Sequence, residues 1–423
     1  MADVFTTIYQ WLVGVLDGWG ATPVVIEGVV NLIGALIVAT FTLVLVIFTI
    51  WMERKWVGRL QDRIGPNRVG PWGVFQSIAD VLKLLSKEIV MPSGADKVPY
   101  ILAPIVAVAS VILIWAVMPF AKTAIGTNVN IGALYFVSVS SLGIMGILMA
   151  GWSSNNKYAL LGAFRAVAML VSYEVPLILT LLVPVLLSGS MRMNDIVQGQ
   201  TVWYVFAVPV AALIFYIANV AEVGRSPFDL LEAESEIVAG FHIEYSGMAF
   251  AMFYLAEFMH AFTISALTAT LFLGGWRGPG AEQIPTLGVV YFFIKTFAVY
   301  FFNVWARGTL PRLRIDHMMS FCWKFLVPLS LINLILMAVV DKLGQLWLYE
   351  VPALADLEAV SWLQGIALNV PRTALLLVVN LIVIGFAIWW IGLVARRERE
   401  RLGLTDEAVT LPEPEFGAGP AGR

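Results

Sequence analysis

The sequence predicts an all-α polytopic membrane protein with about nine transmembrane helices plus a surface amphipathic helix. Three observations carry that reading. Of 423 residues, 60% are hydrophobic and 13% charged, where soluble domains are about a quarter charged. Mean hydropathy is +0.85. Long apolar runs each approach or exceed the roughly 20 residues that a helix needs to cross hydrocarbon, and none alternates with the two-residue period of a barrel strand. The net charge of −3 gives no sign of nucleic-acid binding. A single cysteine, Cys322, excludes an internal disulfide framework, an iron–sulfur cluster held by this chain alone and a Cys-rich zinc site. Three histidines are too few for a di-haem cytochrome.

Residues 1–29 read as an N-terminal outer segment. The chain carries no Lys or Arg before Arg54, so it lacks the basic start of a signal peptide. The apolar runs place spans at about 30–52, 99–120, 131–152, 165–188, 202–221, 247–273, 287–306, 321–340 and 372–394. Trp51, Trp152, Trp203, Trp276 and Trp389 fall near span ends, as interfacial anchors do. The loops after spans 1, 3, 5 and 7 and the C-terminal tail hold 19 Lys and Arg, against 5 on the opposite side. The bias puts the odd loops and the C-terminus in the cytoplasm. No internal repeat of the kind many secondary transporters carry is visible.

After span 1, Glu53-Arg54-Lys55 is followed by Arg63-Ile64-Gly65-Pro66-Asn67-Arg68-Val69-Gly70-Pro71. The Gly and Pro make a fixed, turn-rich loop that presents two arginines. Phe75, Ile78, Leu82, Leu85 and Ile89 then recur at helical spacing, with Asp80, Lys83 and Lys87 opposite. This spacing predicts an amphipathic helix along the membrane surface, either a plain anchor or the wall of a site that a lipid-soluble molecule enters sideways.

The loop 222–246 carries Glu222, Arg225, Asp229, Glu232, Glu234, Glu236 and Glu244. Ser226 and Pro227 predict a helix start, with Asp229 in a capping box. Asp229, Glu232 and Glu236 would then share one face, either as a solvated acidic surface or as coupled carboxylates able to hold protons. Glu174, Glu257 and Lys295 lie inside apolar spans, where charge is costly and expected to face the bundle interior. His260 follows Glu257 by three residues, so a Glu257–His260 hydrogen bond is its simplest account. Arg307, Arg312 and Arg314 follow span 7, where a structural Arg–Glu network would explain some of them.

These residues carry a resemblance. Glu53-Arg54, the Arg63–Arg68 loop, Gly151-Trp152-Ser153-Ser154-Asn155-Asn156-Lys157-Tyr158, Arg165-Ala166, Ser172-Tyr173-Glu174, Ser226-Pro227-Phe228-Asp229, Glu232-Ala233-Glu234, His242-Ile243-Glu244-Tyr245 and Leu310-Pro311-Arg312 are together similar to one family. It is the H-type membrane subunit of proton-pumping NADH:quinone oxidoreductase, respiratory complex I, and the similarity runs from about 30 to 343. The resemblance implies a non-redox subunit of the bacterial cytoplasmic membrane that forms the quinone tunnel and couples quinone reduction to proton translocation. Quinone would be a substrate, with no cofactor or metal on this chain. The partners implied are the hydrophilic quinone-site and iron–sulfur subunits, neighbouring membrane-arm subunits and lipid. Carried over by motif, Glu53, Arg54, Arg63, Arg68, Glu222, Arg225 and Asp229 would border the quinone. Glu174, Glu232, Glu234, Glu236, Glu257, Lys295 and Arg307 would couple protons.

The domains expected are thus 1–29, a quinone-chamber core over 30–344, and a C-terminal extension over 345–423 with an extra span and a basic tail. On the extension's role the resemblance is silent, and span 9 is expected to pack outside the core or on a neighbour, as an accessory. Two other readings are the related subunit of a membrane-bound hydrogenase and a stand-alone ion transporter. The complete Arg63–Arg68 and acidic loops favour the quinone enzyme over the first. The lack of a repeat disfavours the second.

Overall fold

The computed structural model describes residues 4–18, 22–230, 238–349 and 362–401. Within them the chain is helical, with one isolated bridge between Pro119 and Ile125. The helices are α1 (Val4–Gly18), α2 (Pro23–Leu60), α3 (Gln76–Ser86), α4 (Lys97–Ile114), α5 (Gly132–Ser153), α6 (Lys157–Ser188), α7 (Met193–Gly199), α8 (Tyr204–Ala207), α9 (Pro209–Val223), α10 (Gly247–Phe272), α11 (Pro285–Thr309), α12 (Ile315–Phe321), α13 (Val327–Trp347) and α14 (Trp362–Arg401). A π turn, Cys322–Leu326, joins α12 to α13. Eight of the resulting helices are long and apolar enough to cross a membrane. They coincide with eight of the nine expected spans.

The remaining span, expected as one helix over 202–221, is broken. Pro209 has no N–H to give to a helix continuing from α8, and Val208 takes φ −131°, ψ 62°. Alone, α9 has 15 residues, roughly 22 Å of helix, short of a hydrocarbon core of about 30 Å. Also unforeseen is α1, which packs against α2. The acidic loop departs from expectation too. Residues 224–230 form turns rather than a helix starting at Pro227, and the Ser226–Pro227 bond is cis. Glu232, Glu234 and Glu236 lie outside the described residues.

Prolines inside the spans set much of the packing, because each frees a carbonyl that a membrane helix must satisfy internally. Pro104 frees the Tyr100 carbonyl, which accepts from Tyr245 Oη at 3.1 Å. Pro176 frees the Ser172 carbonyl, which accepts from Cys322 Sγ at 3.1 Å. The π turn at Cys322–Leu326 precedes Pro328, whose ring would meet the Lys324 carbonyl in a regular helix. The centre of the bundle is α10, packed against α2, α4, α9 and α11, and α6 packs chiefly on α9 and α5. The apolar side of α3 stays exposed at Phe75, Ile78, Leu82 and Leu85, as a helix resting on a membrane surface requires.

Candidate functional site

Polar side chains deep in the bundle converge on Glu53. This carboxylate ends the apolar part of α2 and is 2% exposed. Its Oε1 accepts from Arg225 Nη1 and Arg307 Nη1, and its Oε2 from Tyr300 Oη at 2.8 Å. Arg225 arrives because Gly224 ends α9 in the left-handed conformation, φ 69°, and turns the chain inward. The Arg225 side chain is 4% exposed, and its Nε stands 3.5 Å from Glu257 on α10. Burial alone would lower the pKa of this guanidinium. The carboxylates of Glu53 and Glu257 outweigh burial and hold it above its ordinary value. One cation thus satisfies two carboxylates from different helices, as a buried charge must be satisfied.

Two cavities meet here. The larger, about 850 Å³, is walled by Val46, Ile50, Glu53 and Arg54 of α2, by Arg63 to Pro66, by Asp80 and Leu84 of α3, by Met248, Leu255 and Phe258 of α10, and by Arg307. Its walls combine apolar side chains with the charged groups Glu53, Arg54, Arg63, Asp80, Lys83 and Arg307. Arg54 Nη1 and Asp80 Oδ2 close one flank at 2.5 Å. The smaller cavity, about 110 Å³, is lined by Glu222, Glu257, His260, His242 and apolar side chains of α4, α5 and α10. Tyr254 lines both cavities. Arg225 lines neither cavity but pairs with a carboxylate of each, Glu53 of the larger and Glu257 of the smaller.

Beyond the smaller cavity the acids continue. His260 Nε2 stands 3.5 Å from Glu222 Oε1. It therefore faces the carboxylate of α9 and not Glu257, the neighbour expected from the sequence. Glu174 accepts from Ser141 Oγ at 2.6 Å and lies within electrostatic reach of Glu222. The wall at His242 is held by close backbone approach: a Cβ on Gly162 of α6 would sit 2.7 Å from the Gly240 carbonyl carbon. Asn156 caps α6 through Tyr158 N at 2.9 Å and donates to Glu244 Oε1 at 2.6 Å, tying the same loop. Burial among Phe241, Phe250 and Tyr254 lowers the His242 imidazole to about 4.

The expected site residues separate into groups. Glu53, Arg54, Arg63, Arg225 and Arg307 meet at or beside the large cavity, while Glu222, Glu257 and Glu174 lie along the acids behind it. Arg68 is exposed and outside the large cavity's lining. Asp229 sits half-buried on the turn after Arg225, outside both linings. Lys295 is apart from the cluster. It precedes Arg307 by 12 residues on α11, roughly 18 Å of helix, and donates to the Gly275 and Arg277 carbonyls at 2.9 and 2.7 Å. Tyr300 and Tyr254 were not foreseen, and among so many membrane aromatics no pattern singles them out. Among the described residues no three of His, Cys, Asp and Glu converge as a metal site would need.

Residues 33–338 match the NADH dehydrogenase family. The match covers every described residue of the two acid groups. The chain belongs to that family. Its relatives include proteins named as the H-type subunit of NADH-quinone oxidoreductase. That of Dehalococcoides mccartyi (strain ATCC BAA-2266 / KCTC 15142 / 195) is 51% identical over 298 residues, 70% of this chain and 83% of the relative. That of Geobacillus kaustophilus is 51% identical over 310 residues, 73% and 92%. That of Geobacillus thermodenitrificans is 47% identical over 336 residues, 79% and 99%. Nearly the whole of the last relative is thus matched by four fifths of this chain. The family places the chain as an H-type subunit of NADH-quinone oxidoreductase, a multi-pass membrane protein.

Proposed function

We propose that the large cavity is the quinone tunnel of this subunit, and that the acids behind it couple quinone reduction to proton translocation. The observation that carries the proposal is Arg225, which joins Glu53 on the tunnel side to Glu257 on the inner cavity. Quinone reduction takes two electrons and two protons, and leaves negative charge at the headgroup until the protons arrive. The electrons come from a hydrophilic partner subunit, since a single cysteine cannot hold an iron–sulfur cluster on this chain. The residues of this chain bind, exclude water and respond electrostatically. In a low-dielectric chamber a new negative charge acts strongly on nearby ion pairs. It would draw Arg225 and Arg307 toward the headgroup, release Glu53 and Glu257, and raise the proton affinity of both. Protons would then pass by Glu257, His260 and Glu222 toward Glu174. Asp229, Glu232, Glu234 and Glu236 would supply carboxylates beside the headgroup, Arg68 would face the hydrophilic arm, and Lys295 would hold charge at the far end of α11.

The same reading puts the loops 53–98, 153–164, 222–246 and 307–320 and the C-terminal tail on the cytoplasmic side of a bacterial cytoplasmic membrane. There they meet the hydrophilic quinone-site and iron–sulfur subunits, with membrane-arm subunits and lipid at the flanks. The test is Glu53→Gln in the intact complex, with two activities read side by side. Quinone reduction should fall at least about tenfold, equivalent to about 1.4 kcal/mol, since the neutral amide leaves a buried guanidinium short of a charged partner. NADH oxidation by an artificial acceptor that bypasses the quinone should survive. Unchanged quinone reduction in an assembled variant overturns the reading. Equal loss of both activities makes the cluster a docking element.

A further inference from the structure

The C-terminal helix α14 lies beyond the family match, and it is seated in the broken span of the core. Asn380 is 0% exposed and sits across the break between α8 and α9. Its Oδ1 accepts from Val210 N at 3.3 Å, and its Nδ2 donates to the Ala207 carbonyl at 3.3 Å. The same amide nitrogen donates to the Leu376 carbonyl on its own helix at 3.0 Å and contacts Met337 Sδ on α13 at 3.1 Å. One side chain from α14 therefore satisfies backbone groups on both sides of the interruption, where no water is at hand. Two turns earlier, Arg372 reaches Asp341 of α13 with Nε at 2.7 Å and Nη2 at 2.9 Å, and Nη2 also reaches the Leu187 carbonyl in the last turn of α6 at 2.7 Å. Gln345 and Tyr349 complete the shell of Asp341, at 2.8 and 2.9 Å.

We infer that Asn380, braced by the Arg372–Asp341 pair, is a positioning residue for the acid cluster: it fixes the outer end of α9, whose inner end carries Glu222 and turns into Arg225. From Val210 to Glu222 is 12 residues of unbroken helix, roughly 18 Å. A rod of that length, freed at one end, tilts at the other. Glu222 would then move against the described ionisable groups around it: His260, Glu257 and Tyr254 on α10, Glu174 on α6, His242 in the loop and Arg225 beyond the cap. The extension thus supplies to the core what a continuous helix would otherwise supply itself.

The inference rests on the reading of the acid cluster given above, and its test keeps the two apart. Asn380→Ala and Glu222→Gln are each assayed in the intact complex for artificial-acceptor activity, for quinone reduction and for the pH profile of quinone reduction. For Asn380→Ala, acceptor activity should stay, quinone reduction should fall roughly threefold, as for one or two interhelical bonds lost in a membrane, and the pH profile should shift in the direction seen with Glu222→Gln. A purely structural helix would not move that profile. Effects of Glu222→Gln with wild-type turnover and profile in Asn380→Ala overturn the clamp alone. No effect of Glu222→Gln overturns the site reading and the clamp with it. If Asn380→Ala fails to assemble, Asp341→Leu/Arg372→Leu, which removes the pair without leaving a buried charge, is read in its place by the same criteria. Loss of assembly in both makes α14 a folding element only and also overturns the positioning role.

Discussion

Glu53 shows why single charges at the ends of apolar runs are informative and why their partners are not. The carboxylate stands out in the sequence because Trp51-Met52-Glu53-Arg54 closes a long apolar run. Its two cationic partners, Arg225 and Arg307, lie 172 and 254 residues away, and no periodicity links them. His260 misled for the opposite reason. Its neighbour Glu257 is one helical turn away, yet the ring turns to Glu222 on a different helix. His242 carries a prediction of its own. Its pKa is about 4 in the folded loop and about 6.5 in an unfolded chain. Between those values the opened loop binds a proton that the folded loop refuses. The stabilisation is therefore complete above about 6.5 and is lost as pH falls toward 4, a difference of about 3 kcal/mol at most. Amide exchange of Phe241 to Tyr245, corrected for intrinsic rate, should quicken between pH 7 and 5. In His242→Phe the dependence should disappear, and a dependence that persists would remove His242 as its source.

At the scale of elements, eight spans were legible because length and hydropathy alone decide them in a bilayer. The remaining run, 202–221, was legible as apolar and illegible as broken, since a proline in a membrane helix is tolerated whenever a neighbour satisfies what it frees. That neighbour, Asn380, is about 170 residues on. The turn after α9 was misread because Ser226 and Pro227 are also good helix starters, and packing against Leu313, whose N–H donates to the Pro227 carbonyl at 2.9 Å, overrides local preference. The charge bias of the loops makes a statement about whole connections. Ser93 and Gln283 are exposed positions in loops expected on opposite sides of the membrane. Cysteines placed there, in a chain whose Cys322 is buried, should be modified by an impermeant reagent from opposite faces of sealed vesicles. Modification from the same face would refute the assigned topology.

For the whole molecule, the Glu53 cluster has a consequence for biosynthesis. Chains emerge N-terminal end first, at roughly 5–20 residues per second. Tyr300 and Arg307 are 247 and 254 residues downstream of Glu53, so the carboxylate waits on the order of ten to fifty seconds for its last cation. Through that interval α2 is already long and apolar enough to insert, and its terminal acid must stay at the aqueous edge or carry a proton. The cluster can close only when α11 has arrived, so the newborn protein holds an unsealed charge until that helix is in place. Ribosome-arrested chains stalled before Arg225 should leave Glu53 open to a water-soluble carbodiimide. Chains released beyond Arg314 should protect it, and equal labelling of the two would show that the acid finds shelter earlier. A surveillance protease that samples the membrane edge would thus have a chemical mark of incompleteness to read, one that the final cationic partner erases.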